Sequence, residues 1–241
     1  MTKKAAFNFD FKVGQILCKK YKVLQKIGSG WEGEVYRVEE VSTGIERAAK
    51  FFYPKRNIKN SALIRYAKKL HKLRHCPMVI GYQTKEMIRW NGVDASFLVS
   101  EYVEGKVLSA FIKSLPKKRL DTFPALHLLH KLASGIELIH AQREYHGDLH
   151  SDNVIISRFG LGFNVRVLDM YDWGPTSRQN QLDDVADLVK MFYEYIGGEK
   201  IYKKLPPNVR YIIGGRKKNI ILKRFRSAAQ LKMYIENMEW E

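Results

Sequence analysis

Apolar and polar residues alternate in short runs through the first third of the chain, and the period then lengthens. Tyr21–Ile27, Glu34–Glu40 and Arg47–Phe52 alternate at period two, which predicts three strands, the first two joined by a glycine-rich turn. Between Asn60 and Leu73, the residues Leu63, Tyr66, Ala67, Leu70 and Leu73 share one face of a helix. Val79–Met87 and Ala95–Ser100 read as a hairpin around Asn91-Gly92. From Val107 the pattern is mainly helical. Leu128, Leu129, Leu132, Ile136 and Ile139 mark a helix over Phe123–Ala141, and Leu182–Ile196 reads as another. A small β-rich part followed by a larger helical part is a layout that places a cleft between lobes.

Composition narrows the class. The 241 residues are 45% hydrophobic and 28% charged, which suits a globular core and excludes low-complexity, collagen-like and disulfide-scaffold chains. Two cysteines, Cys18 and Cys76, with no apolar stretch at the N-terminus, read as reduced thiols in a cytoplasmic protein. No run approaches the roughly 18 apolar residues that a membrane span needs. Lys117–Arg119 and Arg216–Lys218 read as surface loops.

The formal net charge is +17, and it is unevenly placed. Residues 47–85 carry eleven Lys/Arg and no acid, and residues 200–232 again carry eleven and no acid. The remainder holds 20 basic against 25 acidic residues, a net of −5. Two basic blocks on a slightly acidic chain suit a solvated face or docking to an acidic partner or an anionic surface. No RNA- or DNA-binding motif accompanies the charge, which argues against nucleic acid.

Three motifs carry chemistry. Gly28-Ser29-Gly30-Trp31-Glu32-Gly33-Glu34-Val35 is a G-x-G-x-x-G-x-V between two strands. Glycines let backbone N–H groups approach phosphate oxygens. A strand follows it, not a helix, which argues against a dinucleotide-binding fold. Ala48-Ala49-Lys50 places a cation at a strand end, seventeen residues beyond Gly33. His146-Gly147-Asp148-Leu149-His150-Ser151-Asp152-Asn153 precedes the apolar run Val154–Ile156, and Val165-Arg166-Val167-Leu168 leads to Asp169. Two acids and an amide at the edges of short strands suit oxygen ligation of a divalent metal.

In this order and spacing the residues resemble the protein kinase-like phosphotransferase superfamily, over about Tyr21 to Glu236. The resemblance implies an α+β, bilobal protein kinase-like fold. It would be a single domain over 1–241, with a small β-rich N-lobe with one helix and hinge over about 12–103 and a larger, mainly helical C-lobe over 104–241. It implies ATP and Mg as cofactors, with the glycine loop (Ile27, Gly28, Gly30, Gly33, Val35) and Ala48 around the nucleotide and Lys50 on the α- and β-phosphates. Glu101 and Val103 in the hinge-like Phe97–Gly105 would pair with adenine. Asp148 would orient the acceptor hydroxyl and take its proton, and Asn153 and Asp169 would hold the metal. Leu182–Leu188 resembles the large lobe's central helix, with Asp184 tying it to the catalytic loop, and Arg224–Leu231 resembles the start of the last helix.

The chain also departs from the family. No acid lies between Glu46 and Glu86, so the helix Glu that pairs with the strand Lys is missing. Counting places Tyr66 or a neighbour there, so either another carboxylate such as Glu32, Glu34 or Glu86 pairs with Lys50 instead, or a partner brings one, or activity is low. Asp169-Met170-Tyr171 stands for the family's D-F-G, with Asp172-Trp173-Gly174 as a second candidate; the strand Arg166-Val167-Leu168 favours Asp169. His-Gly-Asp lacks the Arg that would meet a loop phosphate, and only 14 residues separate Asp169 from Asp184, so activity is expected without loop phosphorylation.

The leading reading is therefore a serine/threonine-protein kinase moving the ATP γ-phosphate to a hydroxyl of a protein substrate. The rival enzyme is a small-molecule hydroxyl kinase of the aminoglycoside or choline kinase type, for which the 88 residues after Asn153 leave little room. The non-enzyme reading is a nucleotide-binding pseudokinase scaffold, motivated by the missing helix Glu.

Overall fold

A computed structural model describes residues 7–160 and 162–239. They form two compact units, one of residues 7–74 and 80–103, the other of 75–79 and 104–239.

The first unit is a six-stranded antiparallel sheet ordered β1-β2-β3-β4-β6-β5, with one long helix. Its strands are β1 (Ile16–Leu17), β2 (Tyr21–Ser29), β3 (Gly33–Glu40), β4 (Glu46–Phe52), β5 (Tyr82–Trp90) and β6 (Val93–Glu101); α1 spans Ser61–Lys72. The period-two pattern decides which face each residue takes. Tyr36, Val38, Ala49, Phe51, Phe97 and Val99 are buried on one face. Phe51 stacks on Phe97 with ring centroids 4.3 Å apart, and Phe11 meets Phe51 edge-on at 4.8 Å. Val35, Ala48 and Lys50 fall on the other face, and the register sets Val35 directly opposite Lys50.

Two differences from the sequence reading concern this unit's limits. The reading begins the lobe at about residue 12, whereas Phe9 and Phe11 are already buried in its aromatic core. They carry no periodic signal because they pack as an irregular segment. The predicted strand over Val79–Met87 begins instead at Tyr82. Val79 forms a parallel bridge with Val167, and Val167 N–H donates to the Met78 carbonyl at 2.8 Å, which places residues 75–79 in the second unit.

The second unit is mainly helical. Strands β7 (Lys106–Val107), β8 (Val154–Phe159) and β9 (Gly162–Val167) form a small sheet ordered β7-β8-β9. Its helices are α2 (Leu108–Ser114), α3 (Thr122–Ala141), α4 (Arg178–Tyr195), α5 (Glu199–Tyr202), α6 (Pro207–Ile213), α7 (Lys218–Arg224) and α8 (Ala228–Glu236). Helix α3 is the core: Leu128, Leu129, Leu132, Ile136 and Ile139 are fully buried, as the spacing predicts. Arg216–Lys218 is not the plain loop read from the sequence: Arg216 closes a 3-10 turn and Lys218 opens α7. Among the described residues no helix is long and apolar enough to cross a membrane.

Candidate active site

In the first unit, β2 and β3 run into the glycine-rich turn. Gly33 is there because the sheet demands it: a Cβ would lie 1.8 Å from the Phe51 carbonyl oxygen. At Gly30 nothing lies within 4 Å of a Cβ, so that glycine leaves open space. The Gly30 N–H is spent within the turn on the Gly33 carbonyl at 2.9 Å. Of the two residues between them, Glu32 is tied from outside, since Tyr53 N–H donates to its carbonyl at 2.8 Å. The guanidinium of Arg56 covers the exposed Trp31 ring at 3.8 Å.

Lys50 emerges from β4 opposite Val35 and the buried Leu98. Its ammonium lies 3.0 Å from Glu32 Oε2. Of the three carboxylates open from the sequence, Glu32 therefore pairs with Lys50. Glu34 turns into the core, accepting from the Tyr36 hydroxyl, from Lys26 at 2.9 Å and from the Phe9 N–H at 3.3 Å. Glu86 pairs with Lys20 at 2.8 Å. The Tyr66 ring of α1 lies 5.0 Å from the Lys50 ammonium, where the resemblance places the missing helix Glu. Burial alone would raise the Glu34 carboxyl, but its bonds from Tyr36 and Lys26 outweigh that and hold it below the usual range.

At the other end of the sheet, Glu101 closes β6 opposite Arg47, and its N–H donates to the Gly81 carbonyl at 3.0 Å. The Glu101 carbonyl and the half-buried Val103 follow in the strand's exit. Arg37 stacks on the intervening Tyr102 at 4.7 Å. Ala48 and Val35 are half-buried on the Lys50 face, and Ile27 is exposed at the loop's entry.

In the second unit, the β8–β9 ladder gathers the acidic and amide groups. Val154 pairs with Val167, so Asn153 and Asp169 stand at the same end of the two strands. The Leu168 N–H donates to the Asn153 carbonyl at 2.8 Å and locks the two exits together. Asn153 Nδ2 donates to the Asp148 carbonyl at 2.8 Å and to Asp148 Oδ2 at 3.3 Å. Its amide oxygen is thereby turned away from Asp148. The Asp148 side chain is exposed, as a group that meets a substrate must be. His150 Nδ1 accepts from the Asp152 N–H at 3.2 Å, and its Nε2 lies 3.6 Å from Asp148 Oδ2.

The loop bearing Asp148 is braced from beneath. Asp184 of α4, fully buried, accepts from the His146 N–H at 2.7 Å and the Gly147 N–H at 2.9 Å. His140 Nε2 of α3 lies 2.9 Å from the same carboxylate. Gly147 has φ 83°, and a Cβ there would come 2.9 Å from the Tyr171 carbonyl oxygen. That close approach, together with the left-handed backbone, explains why this loop carries no Arg before Asp148.

Asp172 is closed into a turn: its Oδ1 accepts from the Gly174 N–H at 2.9 Å. Asp169, with φ 47°, sits directly beyond the strand exit. Trp173 Nε1 donates to the Gly147 carbonyl at 2.8 Å, and the Trp173 N–H donates to the Tyr145 hydroxyl at 2.6 Å. His140, Tyr145 and Trp173 have no sequence signal as site residues, because their roles exist only once α3, α4 and the loops meet.

Among the described residues no three His, Cys, Asp or Glu side chains cluster as a metal cage. One carboxylate and one amide oxygen are nevertheless the donor set that suits Mg²⁺ completed by waters and phosphate oxygens. The residues present fit the ion on that chemistry.

Residues 21–205 match the protein kinase domain family. The chain belongs to that family. It is 32% identical over 157 residues to the serine/threonine-protein kinase pkn2 of Myxococcus xanthus, covering 64% of this chain and 18% of that protein. It is 23% identical over 209 residues to the probable serine/threonine-protein kinase YbdM of Bacillus subtilis, covering 83% and 80%. Serine/threonine-protein kinase PrkC of the same organism is 28% identical over 160 residues, covering 65% of this chain and 23% of that protein. The chain thus spans about a fifth of pkn2 and PrkC but most of YbdM. The fold is similar to that of the Mycobacterium tuberculosis PknI kinase domain, with a TM-score of 0.64 and 13% identity over 95% of this chain and 97% of that one. This kinase domain is accordingly α+β, with a β-rich first unit and a helical second unit.

The basic blocks are partly spent on the fold. Arg47 pairs with Glu40 at 2.7 Å, Lys218 with Asp183 at 2.7 Å and Lys232 with Glu137 at 2.8 Å. Lys200, Lys203, Lys204 and Arg210 stay exposed.

Proposed function

We propose that this kinase domain binds ATP with Mg²⁺ and transfers the γ-phosphate to a Ser or Thr hydroxyl of a protein. In this reading Gly28, Gly30 and the loop backbone around Gly33 approach the phosphates, with Ile27, Val35 and Ala48 lining the nucleotide. Lys50 neutralises the α- and β-phosphates, and the Glu101 carbonyl and Val103 N–H pair with adenine. Asn153 and Asp169 would hold the metal, which would supply positive charge to the phosphates.

Asp148 accepts a hydrogen bond from the acceptor hydroxyl and aims its oxygen at the γ-phosphorus. The bond from that phosphorus to the β,γ-bridging oxygen breaks as the new P–O bond forms, and the hydroxyl proton passes to Asp148. Asn153, bonded to both the backbone and the side chain of Asp148, restricts that carboxylate to a narrow set of orientations, so the protein contributes mainly positioning and electrostatics. The observation that carries the reading is this convergence of Asp148, Asn153 and the Asp169 strand exit at one end of the β8–β9 ladder.

Labelled ATP, Mg²⁺ and a generic basic protein, beside the Asp148→Ala variant, test it. Label on Ser or Thr that disappears in the variant is the expected result. Nucleotide binding without transfer to any protein, or transfer only to a sugar or aminoglycoside acceptor, overturns it. The exposed lysines of the second basic block are proposed to dock an acidic partner. Reversing Lys200, Lys203 and Lys204 to Glu would then weaken binding of an acidic protein in a salt-dependent way.

A further inference from the structure

We infer that Glu32, carried by the glycine-rich turn itself, is a positioning residue that holds the Lys50 ammonium for phosphate. The inference deepens the phosphotransfer reading above and rests on it.

Three observations converge. The Glu32 carboxylate lies 3.0 Å from Lys50, whose side chain is only 12% exposed, so this pair is mostly withdrawn from water. A buried ammonium keeps its charge and direction only where a carboxylate or similar acceptor meets it. The helix that could supply an acid offers the Tyr66 ring instead, 5.0 Å from the ammonium, and Phe52 contributes a second ring at 5.3 Å. Rings attract a cation without fixing which way its N–H bonds point, whereas a carboxylate fixes one of them.

Glu32 is also held where it stands. Its carbonyl is anchored by the Tyr53 N–H at 2.8 Å, and the next residue, Gly33, is pressed against the Phe51 backbone. On the other side of Glu32, Arg56 covers the Trp31 ring at 3.8 Å. The carboxylate is therefore delivered by a turn whose backbone is anchored to the sheet. The lysine thus comes from β4 and its orienting acid from the turn that precedes β3, and α1 supplies a ring to the pair rather than an acid.

Glu32→Gln tests this through a split between kcat and KM and through lysine chemistry. Loss of alignment weakens phosphate binding, while loss of a negative charge near the phosphates strengthens it. KM for ATP is therefore expected to stay within about threefold while kcat falls about thirtyfold, about 2 kcal/mol of transition-state alignment. Adding Tyr66→Glu, which returns an acid from the helix, is expected to recover most of kcat. Separately, acetylation of Lys50 at neutral pH, followed by mass spectrometry, should run about tenfold faster in Glu32→Gln, because the amine loses the carboxylate that holds it at 3.0 Å. Unchanged kcat in Glu32→Gln, a fall in kcat that Tyr66→Glu does not rescue, or equal labelling of Lys50 in both proteins would each overturn the inference. Absence of phosphotransfer in the unaltered protein would instead refute the phosphotransfer reading, and the labelling rates would still report on Glu32. Glu32→Asp, with the same charge and a shorter reach, should fall between the two and guards against a variant that does not fold.

Discussion

Asp184 and Gly147 are joined by a hydrogen bond of 2.9 Å from the loop's backbone N–H to the helix's buried carboxylate. With the second bond from the His146 N–H, this fastens the segment bearing Asp148 onto α4. A buried carboxylate accepting two N–H groups is worth most where no water can replace it. Asp184→Asn substitutes an amide for one acceptor and is expected to destabilise the fold by about 2 to 3 kcal/mol in urea unfolding. It is also expected to lower kcat at least tenfold. An unchanged unfolding midpoint would show that the loop is held by other contacts.

Asp169 and Asp172 make opposite predictions for metal use. Asp172 already accepts the Gly174 N–H at 2.9 Å, whereas Asp169 stands at the strand exit beside Asn153. Asp169→Asn should abolish measurable transfer or raise the Mg²⁺ concentration needed at least tenfold. Asp172→Asn should lower stability while leaving the Mg²⁺ dependence as it is. A Mg²⁺ titration of the two variants decides between them, and the reverse result would reassign the metal ligand.

Glu34 joins the segment around Phe9 to the sheet through Phe9 N–H, Tyr36 and Lys26. Its carboxyl is held below the usual range, so its stabilisation is present above the unfolded value and is lost as pH falls through the folded one. Glu34→Gln should cost about 2 kcal/mol at neutral pH and less in acid, read from denaturant midpoints across pH.

Asp187 on α4 behaves in the opposite sense. Burial first, and the charge of Asp184 second, push it up to about 6, against the pull of Lys190 and Lys218. The folded state therefore binds more protons than the unfolded one between about 4 and 6, and this group's contribution falls as pH rises through that window. Asp187→Asn should stabilise the protein at neutral pH by about 1 to 2 kcal/mol, allowing for solvent screening. The gain should vanish near pH 4; a gain independent of pH would point to packing instead.

The hydroxyls before α4 are engaged in structure. Ser177 caps the helix by accepting the Asn180 N–H at 3.2 Å, and Thr176 donates to the Arg143 carbonyl at 2.9 Å. Thr176→Ala and Ser177→Ala should each keep near-normal kcat, with about 1 kcal/mol lost for the cap. Loss of activity in either, measured with protein purified free of phosphate, would make loop phosphorylation a requirement.

Much of this fold was legible because its signals are local. Period two over Arg47–Phe52 places Lys50 opposite the aromatic face, and the spacing in α3 marks its buried side. Asp184 could be assigned to the loop only through the resemblance of Leu182–Leu188 to the family's central helix. The aromatic packing of Phe9 and Phe11 was not legible, since irregular backbone has no period to read. Residues 75–79 were misplaced for a related reason: an apolar run shows that a segment is buried, not which sheet buries it.

The sequence by itself determined the order of the motifs, the strand that presents Lys50 and the pair of strands that flank Asn153 and Asp169. Only the tertiary structure decided which of three nearby carboxylates meets Lys50. Glu32 and Glu34 are two residues apart, yet one faces the lysine and the other enters the core with Tyr36 and Lys26. Charge and spacing alone cannot separate them. What separates them is that β3 begins at Gly33: Glu34 lies within the strand on its Tyr36 face, whereas Glu32 lies in the turn before it, outside the strand's alternation.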